Sequence, residues 1–197
     1  MKVIIVTGVS GVGKSVLASR LSRRLGGHVV NLSVLVLTNG LWSEYDRLRR
    51  SFVIDYEKLV KRLKDIVKQK SRGAIIIDTH WVEPFIDAGL DPDIVLLLRC
   101  NPLELIRRLE RRFWPKRKIA ENVEAELVGT LVSELSELNL LAKVYEIDTT
   151  SKNIDITSLE AIKAINDGKS KCCIDWLSSL SENELLKVIS YIERHLG

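Results

Sequence analysis

Residues 8–15 read Gly-Val-Ser-Gly-Val-Gly-Lys-Ser, which matches the glycine-rich pattern GxxxxGK[ST] of a phosphate-binding loop. An apolar run, residues 3–6, precedes the motif as a buried parallel strand would, and Leu17, Leu21 and Leu25 follow it at helical spacing. Strand, glycine-rich turn and helix are the setting in which this motif binds phosphate. The sequence therefore predicts a phosphate site at the start of a helix, with a strand–helix turn that binds no nucleotide as the alternative.

The loop offers groups suited to ATP and Mg²⁺. The backbone N–H groups from Gly11 through Val12 and Gly13 to Ser15 form a concave nest for phosphate oxygens, and the helix N-terminus adds partial positive charge. Lys14 is expected to reach the β- and γ-phosphates, and the Ser15 hydroxyl to bind Mg²⁺. We expect Lys14 to be exposed while the loop is empty.

Strand and helix patterns alternate along the chain. Strands are predicted at 2–7, 28–32, 74–79, 93–99 and 143–148, and helices at 14–26, 55–71, 101–112 and 119–141. This alternation predicts an α/β fold of the P-loop NTPase class, with a five-stranded parallel sheet and helices on both of its faces.

Capping residues mark several of the predicted helix starts. Asp55 and Asn101 are predicted N-caps, and Thr157 to Glu160 and Ser181 to Glu184 read as capping boxes.

Residues 166–171 form a polar linker, and a helix with one apolar face is predicted after it. We predict that this last helix docks on the core, with partner binding as the alternative.

Composition is ordinary for a globular protein of 197 residues, with 46% hydrophobic residues and a net charge of +4. We expect no leader segment, and the sequence has no apolar run of the roughly 18 residues that span a membrane. We therefore expect a cytoplasmic protein that does not bind membranes. We also expect it to be a monomer. Cys100, Cys172 and Cys173 lack metal-binding spacing and are expected to be free thiols.

Two polar residues follow the apolar strand at 74–79. In a protein with a phosphate loop, Asp78 stands where a carboxylate holds Mg²⁺ through water. His80, two residues on, points to the same side if the strand continues, and it is predicted to position a water or a phosphate acceptor. Simple packing or capping is the alternative for this histidine.

Residues 107–118 hold seven basic side chains and one acid. Such a run suits a solvated helix face, a polyphosphate clamp or an RNA patch, and its place in a helix–loop–helix favours a clamp in a short lid. Arg112, at the turn, is the first predicted phosphate or adenine contact, and Arg108 is the second.

The segment 31–54 is too long for a simple turn. It contains Trp42 and Tyr45 together with Arg47, Arg49 and Arg50. We predict a small helical subdomain that holds the acceptor substrate, with a purely structural insertion as the alternative.

These motifs resemble the adenylate kinase isoenzyme-six type, a family of small nucleoside monophosphate kinase-like NTPases. The resemblance, over about residues 1–165, lies in the loop at 8–15, in Asp78-Thr79-His80 and in Arg112 followed by the helix that contains Asn122 and Glu126. It implies a domain at 1–166 with a monophosphate-binding insert at about 31–54 and a lid at about 111–121. The C-terminal helical extension at 167–197, predicted from the linker and helix pattern, lies outside the family's usual core.

The resemblance also implies roles for single residues. It assigns ATP binding to Gly11, Gly13, Lys14, Ser15, Val16 and Arg112, a water-mediated Mg²⁺ contact to Asp78, and a part in hydrolysis to His80. Taken together with the loop and the basic run, the predicted ATP contacts are Gly11, Val12, Gly13, Lys14, Ser15, Val16, Arg108 and Arg112, the predicted Mg²⁺ ligands are Ser15 and Asp78, and the predicted catalytic residues are Lys14, Asp78, His80 and Arg112. Two departures concern the acceptor and the lid. Asn31-Leu32-Ser33-Val34 lacks the acid that the family carries there, and Phe113 replaces its usual glycine.

Three functions remain open at this point. The first is transfer of the ATP γ-phosphate to AMP or a related monophosphate, with ATPase activity, alongside the role in small ribosomal subunit maturation that the resemblance implies. The second is an ATPase assembly factor that binds a small-subunit ribosomal protein or pre-rRNA and has little kinase activity. The third is a small-metabolite kinase of the same fold.

Overall fold

The computed structural model describes residues 2–46, 51–68 and 73–196. Its main sheet has five strands, all parallel, in the order β2-β5-β1-β6-β7. These strands are β1 (Val3–Thr7), β2 (His28–Asn31), β5 (Ile75–Asp78), β6 (Ile94–Arg99) and β7 (Val144–Asp148). The predicted five-stranded parallel sheet is confirmed, and each predicted strand agrees with an observed one to within two residues.

Helices connect the strands and cover the sheet. They are α1 (Lys14–Leu25), α2 (Leu32–Thr38), α3 (Tyr56–Lys68), α4 (Glu83–Asp87), α5 (Pro102–Glu110), α6 (Lys116–Leu127), α7 (Thr130–Glu137), α8 (Ile154–Asp167), α9 (Trp176–Ser179) and α10 (Glu182–Leu196), with a 3₁₀ turn at Leu141–Lys143. No helix in the described part of the chain has the length and apolarity to span a bilayer.

The alternation of side chains along β1 shows why helices lie on both faces. Ile4 and Val6 belong to a core cluster shared with α1, α5, α6 and α8, whereas Val3 and Ile5 belong to a second cluster shared with α2, α3 and α7. Because successive strand residues point to opposite faces, a strand that is apolar throughout needs cover on both sides. The predicted helix layers on both faces are confirmed.

Residues 31–54, called here the acceptor insert, do not form the predicted helical subdomain. The insert contains α2 followed by an antiparallel hairpin of β3 (Trp42–Asp46) and β4 (Ser51–Ile54). Aromatic and β-branched residues dominate this hairpin, and Phe52 packs against both Trp42 and Tyr45. Arg47, Arg49 and Arg50 lie outside the described residues.

Two helix predictions were wrong in detail. The helix expected at 119–141 is split into α6 and α7 because Gly129 adopts a left-handed conformation with φ of 70°. Helix α8 begins at Ile154, not at Thr157, because the Asn153 side chain accepts a hydrogen bond from the Ile156 N–H. The Thr157 hydroxyl lies inside the helix and donates to the Asn153 carbonyl.

Other caps agree with the sequence. Asp55 accepts from the Lys58 N–H and Asn101 from the Leu103 N–H, so both predicted N-caps are confirmed. The Ser181 N–H donates to the Glu184 carboxylate, which is the reciprocal bond of a capping box. Residues 69–71, the end of the helix predicted at 55–71, lie outside the described residues.

The C-terminal segment packs against the rest of the chain. Val188 of α10 is fully buried in the core cluster of α5 and α6, so docking of this helix is confirmed.

Buried hydrogen bonds also join Trp176 of α9 to the sheet. Glu126 Oε1 accepts hydrogen bonds from Arg99 Nε at 2.8 Å and from Trp176 Nε1 at 2.7 Å, and Arg99 Nη1 donates to Glu146 Oε1. The division at residue 166 stays a prediction.

Candidate active site

The glycine-rich loop joins β1 to α1 and rests on its neighbours so closely that side chains are excluded. Gly8 has φ of 144°, and a Cβ atom there would lie 2.6 Å from the Leu98 carbonyl oxygen of β6. A Cβ at Gly11 would lie 2.9 Å from both Leu105 and Leu109 of α5. Since such distances are impossible for real side chains, glycine at these two positions fixes the path of the loop.

Lys14 is folded back onto this loop. Its ammonium donates hydrogen bonds to the carbonyls of Gly8 and Val9, both at 2.9 Å, and the side chain is half-buried. The expectation of an exposed Lys14 was therefore wrong, because the loop's own carbonyls hold the ammonium. The pKa of Lys14 is lowered to about 8: burial is the largest cause, Asp78 opposes it, and the positive charge of Arg112 adds to it.

Asp78 ends β5 beside the loop and is almost fully buried. Its Oδ2 atom accepts a 2.6 Å hydrogen bond from the side-chain amide of Asn31, which ends the neighbouring strand β2. Ser15 lies exposed in the first turn of α1. A hydroxyl and a carboxylate are hard oxygen donors of the kind Mg²⁺ prefers, so the residues present fit this ion.

A dedicated protein cage for a metal is absent from the described residues, where His, Cys, Asp and Glu side chains form no group of three or more. Mg²⁺ in phosphoryl-transfer sites is typically held by one or two protein groups together with the phosphates of the substrate. Ser15 and Asp78 match that mode of binding.

His80 lies two residues beyond Asp78, and part of its side chain is exposed to solvent. Partial desolvation lowers the pKa of His80 below its usual value, the Lys14 charge lowers it further, and Asp78 opposes the shift. The imidazole is therefore neutral at pH 7, and one of its ring nitrogens is able to accept a proton or a hydrogen bond.

Arg112 follows α5 at the turn into α6 and is exposed. Its charge acts on Lys14, which places the lid arginine within electrostatic range of the loop. Arg108, one turn earlier, is engaged within the protein. Its guanidinium donates to the carbonyls of Thr149 and Thr150 at 2.6 and 2.9 Å and to Glu104 at 3.1 Å.

A cavity of about 320 Å³ lies between the loop, the lid and the segment after β7. That volume falls in the range of small-ligand pockets. Predicted ATP contacts make up a large part of its wall. Its lining consists of Gly11, Val12, Gly13, Val16, Leu98, Arg108, Arg112, Thr149, Lys152, Ile154 and Thr157.

Comparison with known proteins agrees with this geometry. Residues 4–129 match the AAA domain family. A protein of Saccharolobus solfataricus named "Putative adenylate kinase" is 36% identical over 194 residues, covering 98% of this chain and 100% of that protein. A protein of the same name from Methanocaldococcus jannaschii is 36% identical over 174 residues, covering 88% and 92%. The chain belongs to this family of adenylate kinase-like P-loop kinases.

Solved structures extend the agreement to the fold. A deoxyadenosine kinase from M. mycoides aligns with a TM-score of 0.56 at 17% identity, covering 85% of this chain and all of that one. A gluconokinase from Sinorhizobium meliloti 1021 aligns with a TM-score of 0.52 at 15% identity, covering 84% and 92%. At these identities the likeness concerns the P-loop kinase fold alone.

Two residues of this adenylate kinase-like chain were given no role by the sequence. Asn31 contacts Asp78, as described above. Asn122 in α6 accepts a 2.9 Å hydrogen bond from the Ser10 N–H at the tip of the loop, while its own amide donates to the Lys118 carbonyl. Asn122 belongs to the motif that carried the resemblance, but its partner lies 112 residues away.

Proposed function

We propose that this protein transfers the γ-phosphate of ATP to AMP, giving two ADP, and that it also hydrolyses ATP slowly. One observation supports this above all: groups from separate parts of the sequence meet at the glycine-rich loop. Lys14 is hydrogen-bonded to the loop carbonyls, where the charges of Asp78 and Arg112 both act on it. His80, two residues beyond Asp78, is affected by the charges of Lys14 and Asp78. The names of the relatives support AMP as the acceptor.

Phosphoryl transfer is catalysed mainly by positioning and by stabilisation of charge on the transferred group. In the proposed reaction, the N–H groups of residues 11–15 bind phosphate oxygens, and Lys14 and Arg112 offset their negative charge. Ser15 and Asp78 hold Mg²⁺, which when bound neutralises part of the phosphate charge. His80, neutral at pH 7, accepts a hydrogen bond from the attacking water or orients the acceptor.

The test is ADP formation from ATP and Mg²⁺, alone and with each nucleoside monophosphate. Strong stimulation by AMP, with two ADP formed per ATP consumed, is expected. Arg112→Ala is the companion variant, because the lid charge should matter most in the transition state. A rate unaffected by every monophosphate would contradict the proposed kinase activity.

A second candidate function is an ATPase that assists small ribosomal subunit maturation by binding a ribosomal protein or pre-rRNA. The acceptor insert favours it, because its hairpin exposes Trp42, Tyr45 and Phe52, and the Phe52 ring lies about 5 Å, between centroids, from each of the other two. Exposed clustered aromatics suit a macromolecular contact more than a small acceptor pocket.

The two functions predict different responses. An assembly ATPase should hydrolyse ATP slowly without a monophosphate and bind small-subunit RNA or protein. If the basic run 107–118 binds RNA, the affinity should fall steeply as salt is raised. Salt-independent binding of small-subunit RNA would contradict that contact.

We also propose that the protein is a monomer, and equilibrium sedimentation tests this.

A further inference from the structure

We infer that Asn31 is a positioning residue that fixes the Asp78 carboxylate and joins it to the first helix of the acceptor insert. Asn31 and Asp78 are register partners at the carboxyl ends of the adjacent parallel strands β2 and β5. Asn31 Nδ2 donates to Asp78 Oδ2 at 2.6 Å, and Asn31 Oδ1 accepts from the Val34 N–H at 2.9 Å. One amide therefore serves both contacts.

The chemistry of the two contacts explains the choice of residue. The Val34 N–H needs an acceptor and the Asp78 carboxylate needs a donor, and a carboxamide supplies both in one rigid plane. Aspartate would place a second negative charge against Asp78, and serine would cap α2 but reach less far. Asparagine at this position therefore meets both requirements.

The contact also distinguishes the two oxygens of the Asp78 carboxylate. Asp78 Oδ2 is held by Asn31, whereas Oδ1 accepts no hydrogen bond from the described residues. With the carboxylate fixed in rotation, Oδ1 is kept free for the water shell of Mg²⁺. Partners that orient a metal-binding group in this way typically contribute 10- to 100-fold to metal affinity or activity.

This inference rests on the proposed Mg²⁺ role of Asp78, and it is tested by metal binding without turnover. The probe is Mn²⁺ with ADP, followed by the electron paramagnetic resonance signal of free Mn²⁺. Asn31→Ser keeps an oxygen for the α2 cap and removes the contact to Asp78. We expect its Mn²⁺ affinity in the presence of ADP to fall by about 10-fold or more.

The matched control is Asn39→Ala at the other end of α2. Asn39 Nδ2 donates to the Leu35 carbonyl at 3.0 Å, so this variant weakens the helix without touching Asp78. Its melting temperature should fall while its Mn²⁺ affinity stays at the wild-type value. Asn31→Ala should match Asn31→Ser in Mn²⁺ affinity and melt at a lower temperature, because it also loses the cap.

Wild-type Mn²⁺ affinity in Asn31→Ser would overturn the inference, and so would an equal loss in Asn39→Ala, which would reduce Asn31 to a helix cap. These outcomes are separate from the fate of the proposed kinase reaction. A protein without AMP-stimulated turnover would still show the Mn²⁺ effect if Asn31 positions Asp78.

Discussion

Lys14 combines two properties that conflict: in the proposed reaction its positive charge attracts phosphate, yet its pKa is lowered to about 8, mainly by burial. In the free protein it loses its proton as pH rises through about 8, well below the 10.5 of a free lysine. ATP affinity should therefore fall by up to tenfold per pH unit above pH 8. Calorimetric titration with a non-hydrolysable ATP analogue between pH 7 and 9.5 measures this.

The control for this titration is Lys14→Ala. It should lose turnover and most ATP affinity at pH 7, and its remaining affinity should not change above pH 8. A wild-type affinity that stays flat to pH 9.5 would show that the Lys14 charge does not bind the nucleotide.

His80 is expected to act on the reaction more than on binding. His80→Ala should lower hydrolysis by about 100-fold or more, the usual range for loss of a positioned base, with a smaller change in the affinity for ATP. Because the pKa of His80 is lowered, wild-type turnover should persist as pH falls to 6.5. His28→Ala, an exposed histidine in β2, is the control with unchanged turnover. Equal losses in binding and hydrolysis would mean a structural role.

Phe113 has φ of 57° and is 94% exposed, so its left-handed backbone is strained and its ring has little packing to offset the strain. Glycine relieves such strain by about 1 kcal/mol. Phe113→Gly should therefore raise the melting temperature by about 2–4 °C, whereas Phe113→Ala should not. Differential scanning calorimetry of both variants decides between strain and the loss of a side-chain contact.

Among the elements, α5 and the turn that follows it carry two arginines, Arg108 and Arg112, with different expected roles. Arg108 joins α5 to the segment after β7 through the carbonyls of Thr149 and Thr150. Arg108→Ala should lower the free energy of unfolding by about 1.5–3 kcal/mol, the range for hydrogen bonds to a charged group. Arg112→Ala should leave the melting temperature unchanged and reduce turnover. Urea unfolding and ADP formation, measured on both variants, provide the comparison.

The main sheet was predictable from the sequence, whereas the acceptor insert was only partly so. Buried parallel strands are short continuous apolar runs, and five of them stand out between helical patterns. The hairpin of β3 and β4 was missed although Trp42, Tyr45 and Phe52 have strong strand preference, because residues 47–50 read Arg-Leu-Arg-Arg and lack the Asn-Gly or Asp-Gly type of hairpin turn signal. Gly129 gave a visible signal for the break between α6 and α7.

The candidate site was predictable where local motifs supply it. The loop at 8–15 and Asp78 lie at the carboxyl ends of parallel strands, which meet at one edge of the sheet. Asn31 and Asn122 acquire their roles only from partners 47 and 112 residues away, so single-sequence patterns could not assign them. The engagement of Arg108 with backbone carbonyls is equally a product of tertiary structure.

At the scale of the whole molecule, a buried ionic cluster ties the C-terminal segment to the sheet. Arg99 lies between Glu126 and Glu146, and all three side chains are almost fully buried. Arg99→Met leaves two buried carboxylates without their cation, and the free energy of unfolding should fall by about 3–5 kcal/mol. Arg107→Met, in the exposed part of α5, is the matched control and should change stability little. Urea unfolding measures both, and equal stabilities would contradict the structural role of the cluster.

The attachment of the C-terminal segment has a consequence for the sheet edge. Lys171 pairs with β7 through its own N–H to the Val144 carbonyl and through its carbonyl to the Glu146 N–H. By pairing there, Lys171 covers hydrogen-bonding groups that β7 would otherwise leave open at the edge of the sheet. An open edge of that kind invites pairing between nascent chains. Lys171 therefore lowers the tendency of this edge to pair with another copy of the chain.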